Sequence, residues 1–408
     1  MAIDAASPWP GLPLGAAREE AARLLARLER NESALRLAVA GEARRMAPLV
    51  RHLHVLATAH AAAPLLEALA SAPRVTRVSA RSAWHVEVEL ACGLPVLLEV
   101  LADEQDFVPA LVRATGPAGH LATLQARAAA QGLSWRGDAL CGPEGRIALL
   151  EEADLYAALG LDRPIPEQRE QWVPGLEVHE PVAMADMLGV AGVLTREAGG
   201  RFTVAEMATR AAREGYGWML ARLGAEAGAG PHEALAAAVA GCEHAVAADP
   251  ETGLEARASV RLMVEARAAG GPHDLTSPAG TLRCLRMRPD EGAGALRGGA
   301  FDVVLLEGPA EDATDRGRLL AALASTGAAL CVRPPPHHPQ PEPRLLAEAV
   351  ARGVPLLLLA DAHDLVGLDQ LVLGVGLCRR AGAPAATVLN AWPLARLEAW
   401  TAGRRARA

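Results

Sequence analysis

Lysine is absent from this chain: all 40 positions counted as Lys plus Arg are arginine. Without a side-chain amine, lysine Schiff-base chemistry is excluded, and so is a nucleotide-binding P-loop that depends on its lysine. Aromatic residues make up only 3% of a composition dominated by Ala, Leu, Arg and Gly, although 51% of it is hydrophobic. Alanine-rich, all-arginine usage of this kind reflects genomic base composition before function. The six cysteines (Cys92, Cys141, Cys242, Cys284, Cys331, Cys378) form no C-x-x-C pair. They fit neither a zinc motif nor a disulfide framework, which makes a reducing cytoplasm the default compartment. The first ten residues carry neither the basic region nor the apolar run of a signal peptide. The most apolar stretch, 354–360, has a strand's length and is far too short to span a bilayer, so no membrane partner is expected. An excess of positive charge is missing as well. The net charge is −8, and residues 1–170 hold 17 Arg against 21 Asp plus Glu. A protein that coats nucleic acid is thereby excluded, and any DNA contact must come from a local patch.

At 408 residues the chain can bury two sizeable cores. Residues 16–30 read as an amphipathic helix with Leu24, Leu25 and Leu28 as its stripe. Strands are expected at 35–40 and 53–57 and a helix over 63–70. Segment 84–90 alternates, with Val86, Val88 and Leu90 on one face and His85, Glu87 and Glu89 on the other. The turn Ala91-Cys92-Gly93 leads back into 96–101, which predicts a hairpin. A helix over 118–130 and a mixed segment to Leu159 complete an α+β half. Residues 161–181 are rich in proline and charge, the composition of a linker. Beyond it, helices at 204–214, 315–325 and 343–352 alternate with short strands at 217–222, 301–306, 328–332 and 354–360. That order predicts a parallel sheet or barrel whose site lies at the strands' C-terminal ends. His337 and His338 fall in a proline-rich loop, where adjacent histidines are expected to be solvated.

Two segments carry a resemblance. Y-A-A-L-G-L-D-R-P-I-P-E-Q-R-E (156–170) is similar to the exit of the thumb in bacterial X-family DNA polymerases. A-D-A-H-D-L-V-G-L-D-Q-L (360–371), with C-R-R-A-G and V-L-N-A-W-P-L, is similar to the end of the PHP (polymerase and histidinol phosphatase) metal domain that follows the polymerase there. From about residue 12 onward the chain resembles such a protein lacking the helix-hairpin-helix domain that grips the DNA end. In the palm, the phosphate-holding G-S-L-R-R turn corresponds to Gly41-Glu42-Ala43-Arg44-Arg45, with the Glu42 carboxylate where a triphosphate would lie. The D-x-D pair that binds two magnesium ions corresponds to His52-Leu53-His54, and the third aspartate to Leu97. Magnesium demands hard oxygen ligands, so two-metal nucleotidyl transfer cannot run on this set. A zinc site is the other reading: His52 and His54, two apart on a strand, would share a face, and Glu99 lies on the face of position 97. The nucleotide-pocket motif Y-F-T-G-S corresponds to Arg113-Ala114-Thr115-Gly116-Pro117, which keeps the Thr-Gly turn and loses the aromatic pair. Gly41, Arg44, Arg45, Thr115 and Gly116 are the remnants of nucleotide or DNA binding that the resemblance implies.

The second half repeats the pattern. Residues 182–207 resemble the opening of a PHP domain, where a G-D-L-H-x-H strand end precedes a W-S-D-G turn and a helix near E-E-M. Gly189, Gly200 and Glu206-Met207 fall into place, but the two metal-binding histidines become Gly192 and Leu194. The T-D-H-S ligands become Arg222-Leu223-Gly224-Ala225. The metal-bridging glutamate falls near Pro289, one histidine near Gly308 or Pro309, and another on Arg333. The strand carrying E-I-N-A is expected to be deleted. Asp361 and His363 alone remain, as vestigial metal ligands, and two ligands do not activate a water for phosphodiester hydrolysis. Asp361 is expected to cap the next helix and His363 to fill a polar niche.

The expected fold is an α+β palm and thumb of X-family nucleotidyltransferase type over 1–160, a linker over 161–181, and an α/β PHP-type, TIM-like barrel over 182–408. The expected function is that of a catalytically inactive relative of these polymerases, associated with DNA repair, which binds DNA weakly or scaffolds a protein partner and needs no cofactor. The alternative is a residual or re-purposed metal-dependent phosphoesterase or nucleotidyltransferase carrying zinc or manganese.

Overall fold

The computed structural model describes residues 10–174, 180–225, 227, 229–242, 244–248, 255–267, 281–291, 296, 301–310, 312–333 and 340–406. The chain forms two compact units, Met1–His179 and Glu180–Ala408.

In the first unit, β1 (Leu12–Pro13) and β3 (Leu49–Val50) make a short ribbon. Strands β2 (Ala34–Ala40), β4 (Leu53–Ala59), β5 (Val75–Arg81), β6 (His85–Leu90) and β7 (Pro95–Leu101) form a sheet in the order β2-β4-β7-β6-β5. Only β4 and β7 run parallel in it. The alternation of β6 sets the two faces: Val86, Val88 and Leu90 are buried, as are Leu24, Leu28, Leu65, Leu66 and Leu69 of the helices Leu14–Leu28 and Ala62–Ala70. The helix Phe107–Thr115 covers part of the other face, where Phe107, Ala110 and Leu111 cluster with Ala40, Leu56 and Leu101. Its Pro109 sits in the first turn, where a missing N–H costs nothing. A second core joins this helix to Ala118–Ala130, Glu152–Ala158 and the ribbon β8 (Ser134–Arg136), β9 (Ala139–Gly142), β10 (Gly145–Arg146) through Val108, Val112, Leu124, Leu140, Leu155 and Tyr156.

Residues 161–174, expected as linker, are packed into this unit. The Arg169 side chain is fully buried and donates to Glu152 at 2.7 Å, and the Trp172 ring stands edge-on to His120 at 4.9 Å. The prolines there shape a helical turn, Pro166–Gln168, instead of a free tether.

The second unit is a barrel. Its strands are β11 (Gly189–Val193), β12 (Trp218–Leu223), β13 (His244–Ala248), β14 (Glu255–Arg267), β15 (Leu282–Met287), β16 (Val303–Leu306), β17 (Ala329–Val332) and β18 (Leu356–Ala362). Seven of them, all but β13, pair in parallel and close on themselves where β18 meets β11. β13 pairs antiparallel with the first part of β14. Apolar residues pointing inward, among them Trp218, Leu220, Cys284, Leu305, Cys331 and Leu359, fill the interior together with Trp392 and Leu397. Outward residues such as Val190, Met219 and Leu358 pack on helices including Val204–Arg213, Ala313–Thr326 and Leu371–Arg380. β17 pairs directly with β18, so no strand stands between them. His337 and His338 lie outside the described residues. Among the described residues no helix is long and apolar enough to cross a membrane.

Candidate functional site

In the first-unit sheet, β4 and β6 both flank β7, with His54 and Glu87 opposite Leu97 and His85 opposite Glu99. Side chains two apart on a strand share a face. His54, His85, Glu87 and Glu99 therefore project to one side, where they line a cavity of about 850 Å3 with Arg113 and Asp138. His54 Nε2 lies 3.0 Å from Glu99 Oε2. Arg113 reaches over from the helix Phe107–Thr115 and donates to Glu99 at 2.6 Å and to Asp138 at 2.5 Å. Burial works against the Glu99 charge, but the His54 hydrogen bond and the Arg113 guanidinium outweigh it and hold the carboxyl at about 2. The Glu99 carboxylate is thus already ion-paired to arginine. His52 precedes β4 instead of lying in it, which corrects the expectation that it shares a strand with His54. Among the described residues, no three His, Cys, Asp or Glu side chains are grouped so as to hold a metal ion.

A depressed carboxylate adds stability above its unfolded pKa of about 4.3, and that contribution is lost as the pH falls through the folded value. With the folded value at about 2, Glu99→Gln is expected to flatten the acid limb of the stability profile below about pH 4 and to leave the slope near neutrality unchanged. Denaturant midpoints measured against pH check this, and an acid limb identical to wild type contradicts it.

The turn Gly41-Glu42-Ala43-Arg44-Arg45 forms a latch within the unit. Gly41 opens a short helix at φ +67°, a left-handed conformation that only glycine adopts easily. Glu42 accepts from the Arg51 backbone N–H at 2.5 Å, which ties the turn to the chain ahead of β4. Arg44 donates to Thr115 Oγ1 at 2.8 Å and to Glu152 at 2.7 Å. Arg45 donates to Glu170 at 3.1 Å and also to the Thr115 carbonyl. Gly116 ends the helix at φ +60°. The five residues do meet, and both guanidiniums are engaged within the unit.

At the C-terminal end of the barrel, guanidiniums and carboxylates alternate around the mouth. Arg222 on β12 holds Glu265 on β14 at 2.5 Å and also bonds Asp361 on β18. Arg333, just past β17, donates to Asp361 at 2.6 Å. Arg286 on β15 pairs with Glu307, just past β16, at 2.5 Å and stands 3.6 Å from Glu265. Burial opposes the Asp361 charge, yet the Arg222 and Arg333 guanidiniums keep its carboxyl below the ordinary range. Asp361 sits at φ +53°, uncommon for a residue with a side chain, and its two arginines hold it in place.

These contacts correct two expectations. Asp361 does not cap a helix, because its carboxylate is taken up by two arginines. His363 is exposed, with its carbonyl accepting from the Arg201 N–H at 3.0 Å, so it fills no polar niche. The position near Pro289, read as that of a lost glutamate, lies in a helical turn after β15, and the carboxylates described at the mouth are Glu265, Glu307 and Asp361. Glu265 had a readable signal, an acidic residue ending the apolar run Leu262-Met263-Val264.

Gly192 sits in an irregularity of β11 at φ +78°, and an added Cβ would come 3.0 Å from the Leu359 Cβ. Gly192→His is therefore expected to cost about 1–3 kcal/mol and to bring no metal affinity. Thermal unfolding with and without added zinc checks this; a variant stabilised by zinc contradicts it.

Compared with known families, residues 110–170 match the model of the DNA polymerase beta thumb. The matched stretch runs from the helix carrying Arg113 and Thr115 to Glu170, and it includes Glu152 and the buried Arg169. This segment is X-family polymerase-like. No curated protein matches the chain.

Proposed function

We propose that this protein is a non-catalytic relative of bacterial X-family DNA polymerases, with a degenerate PHP-type barrel as its second unit, that serves DNA repair by weak DNA binding or by holding a protein partner. One observation carries the reading: in both units the carboxylates at the site are bound by arginine, Glu99 and Asp138 by Arg113, Glu265 and Asp361 by Arg222. A guanidinium keeps its proton at any working pH and offers no open coordination position. It cannot coordinate a water and lower its pKa to supply hydroxide as a bound metal does. The thumb match supports the polymerase relationship, and the closed parallel barrel with its polar C-terminal mouth supports the PHP relationship.

Primer extension on a primed template with magnesium or manganese tests this, and no incorporation above a no-protein control is expected. Template-dependent incorporation that is abolished by His54→Ala overturns it in favour of a nucleotidyltransferase with an altered metal set. DNA binding is expected to be salt-sensitive and roughly micromolar or weaker, since only phosphate contacts are at hand and Arg44 and Arg45 are engaged elsewhere. Nanomolar binding at physiological salt contradicts that expectation.

A further inference from the structure

Segment 161–174 closes over a buried cluster of the first unit that carries more positive than negative charge. His120, on the helix Ala118–Ala130, is only 4% exposed, and its Nε2 lies 2.6 Å from the Tyr156 hydroxyl on the helix Glu152–Ala158. Trp172, from the segment, stands edge-on to His120 at 4.9 Å and to Tyr156 at 6.2 Å. The Arg169 guanidinium, also from the segment, lies 5.8 Å from the Tyr156 ring. Glu152 accepts from Arg169 at 2.7 Å and from Arg44 at 2.7 Å, and Arg163 stands 4.0 Å from it. Two close guanidiniums thus share one buried carboxylate. The other ring nitrogen of His120, Nδ1, is buried and has no hydrogen-bond partner among the described residues.

The neutral imidazole suits this place and the imidazolium does not. Protonation makes both ring nitrogens donors. Nδ1 would then carry an N–H with no acceptor and no water, which is costly. The new charge would also join two guanidiniums around a single carboxylate. Burial, with the Arg169 charge acting in the same direction and Glu152 opposing, brings the His120 imidazole down to about 4. Burial raises the Tyr156 phenol, which keeps its proton and supplies no negative charge.

We infer that His120 makes segment 161–174 an acid-released clasp: protonation of the imidazole breaks its packing on Trp172 and frees the segment from the helices that hold it. The segment precedes the boundary between the two units at His179, so release adds free chain ahead of that boundary. Linkage fixes the direction. In the open clasp His120 returns to its ordinary value of about 6.5, whereas in the closed one it stays at about 4. A closed-state value below the open-state one stabilises the clasp fully above about pH 6.5, and that contribution is lost as the pH falls toward about 4. Between about pH 7.5 and about pH 5 the opening equilibrium therefore rises about 30-fold.

Hydrogen–deuterium exchange of the full chain at about pH 7.5 and about pH 5, corrected for intrinsic rates, tests this. The reporting amides are those of Gln168, Arg169 and Gln171, which donate to the carbonyls of Ile165, Pro166 and Gln168. Their protection factors are expected to fall about 30-fold at the lower pH, while those of β4 and β7 change by less than about threefold. His120→Gln keeps a hydrogen-bonding group for Tyr156 and does not titrate, so its pH effect is expected to stay within about threefold. The His120 ring-proton resonance of wild type, followed against pH, gives a reading that needs no variant, with a midpoint expected at about 4. A midpoint at about 6.5, unchanged protection in wild type, the same loss in His120→Gln, or an equal loss across β4 and β7 overturns the inference.

Discussion

Arg222→Met is expected to destabilise the barrel by about 3–5 kcal/mol, the cost of leaving a buried charge without its partner. Arg222 and Glu265 have side chains only 6% and 0% exposed, so the charge left behind lies away from bulk solvent. Asp361 would keep Arg333, whereas Glu265 would be left with Arg286 at 3.6 Å. The loss should therefore arise mainly at Glu265. A second substitution, Glu265→Leu, is expected to recover much of it, because an apolar pair of similar volume removes both desolvation costs. Urea unfolding of wild type, the single variant and the double variant measures this. A single variant within about 1 kcal/mol of wild type, or a double variant worse than the single one, contradicts the assignment of Arg222 as the centre of the mouth.

Gly189→Ala is the second substitution with a large expected effect. A Cβ at Gly189 would lie 1.9 Å from the Trp218 ring. That ring is 1% exposed, and its Nε1 donates to the Trp392 carbonyl at 2.9 Å, so it cannot swing aside without breaking a buried hydrogen bond. Overpacking of this kind costs about 3 kcal/mol or more. Trp218→Leu in the same chain should relieve part of the loss. Gly224→Ala, where nothing lies within 4 Å of the added atom, is expected to stay within about 0.5 kcal/mol of wild type. Equal midpoints for Gly189→Ala and Gly224→Ala would show that the flat contact between Gly189 and the indole is not what holds that position.

Much of the fold was legible because it depends on local periodicity. The alternation at 84–90 returned β6 and its faces, and the helix Ala118–Ala130 has the bounds the pattern implies. The glycines singled out at 189 and 200 are held by sterics: a Cβ at Gly200 would stand 2.0 Å from the Leu194 carbonyl oxygen. The strands β14 and β15 were missed for a physical reason. Arg257, Arg261, Glu265, Arg283 and Arg286 interrupt their apolar runs, and charges in a strand read as a solvent face. In a closed barrel some of those positions turn inward at the mouth, where a partner from another strand pairs them.

The candidate site was legible only where one sheet face carried it. His54 and Glu99 could be placed together from the two-residue period, and they meet at 3.0 Å. Their link to Asp138 through Arg113 depends on a helix crossing over the sheet, which no local pattern encodes. Arg222 and Asp361 lie 139 positions apart and meet because β11 alone separates their strands in the closed barrel. The expectation that Asp361 caps a helix followed local propensity, and the long-range ion pairs prevailed. For the same reason 161–174 reads as linker: its prolines are visible, but the burial of Arg169 on Glu152 is not.

The central claim, that arginine stands where a metal would be needed, is tested most directly by metal content. The full chain is equilibrated with excess zinc or manganese, desalted, and analysed for metal by mass spectrometry. The expected result is less than about 0.1 equivalent of either metal per chain, because a stable site needs three or four properly placed ligands and the carboxylates at both sites are ion-paired. About one equivalent per chain, lost on Asp361→Asn or on His54→Ala, would contradict it.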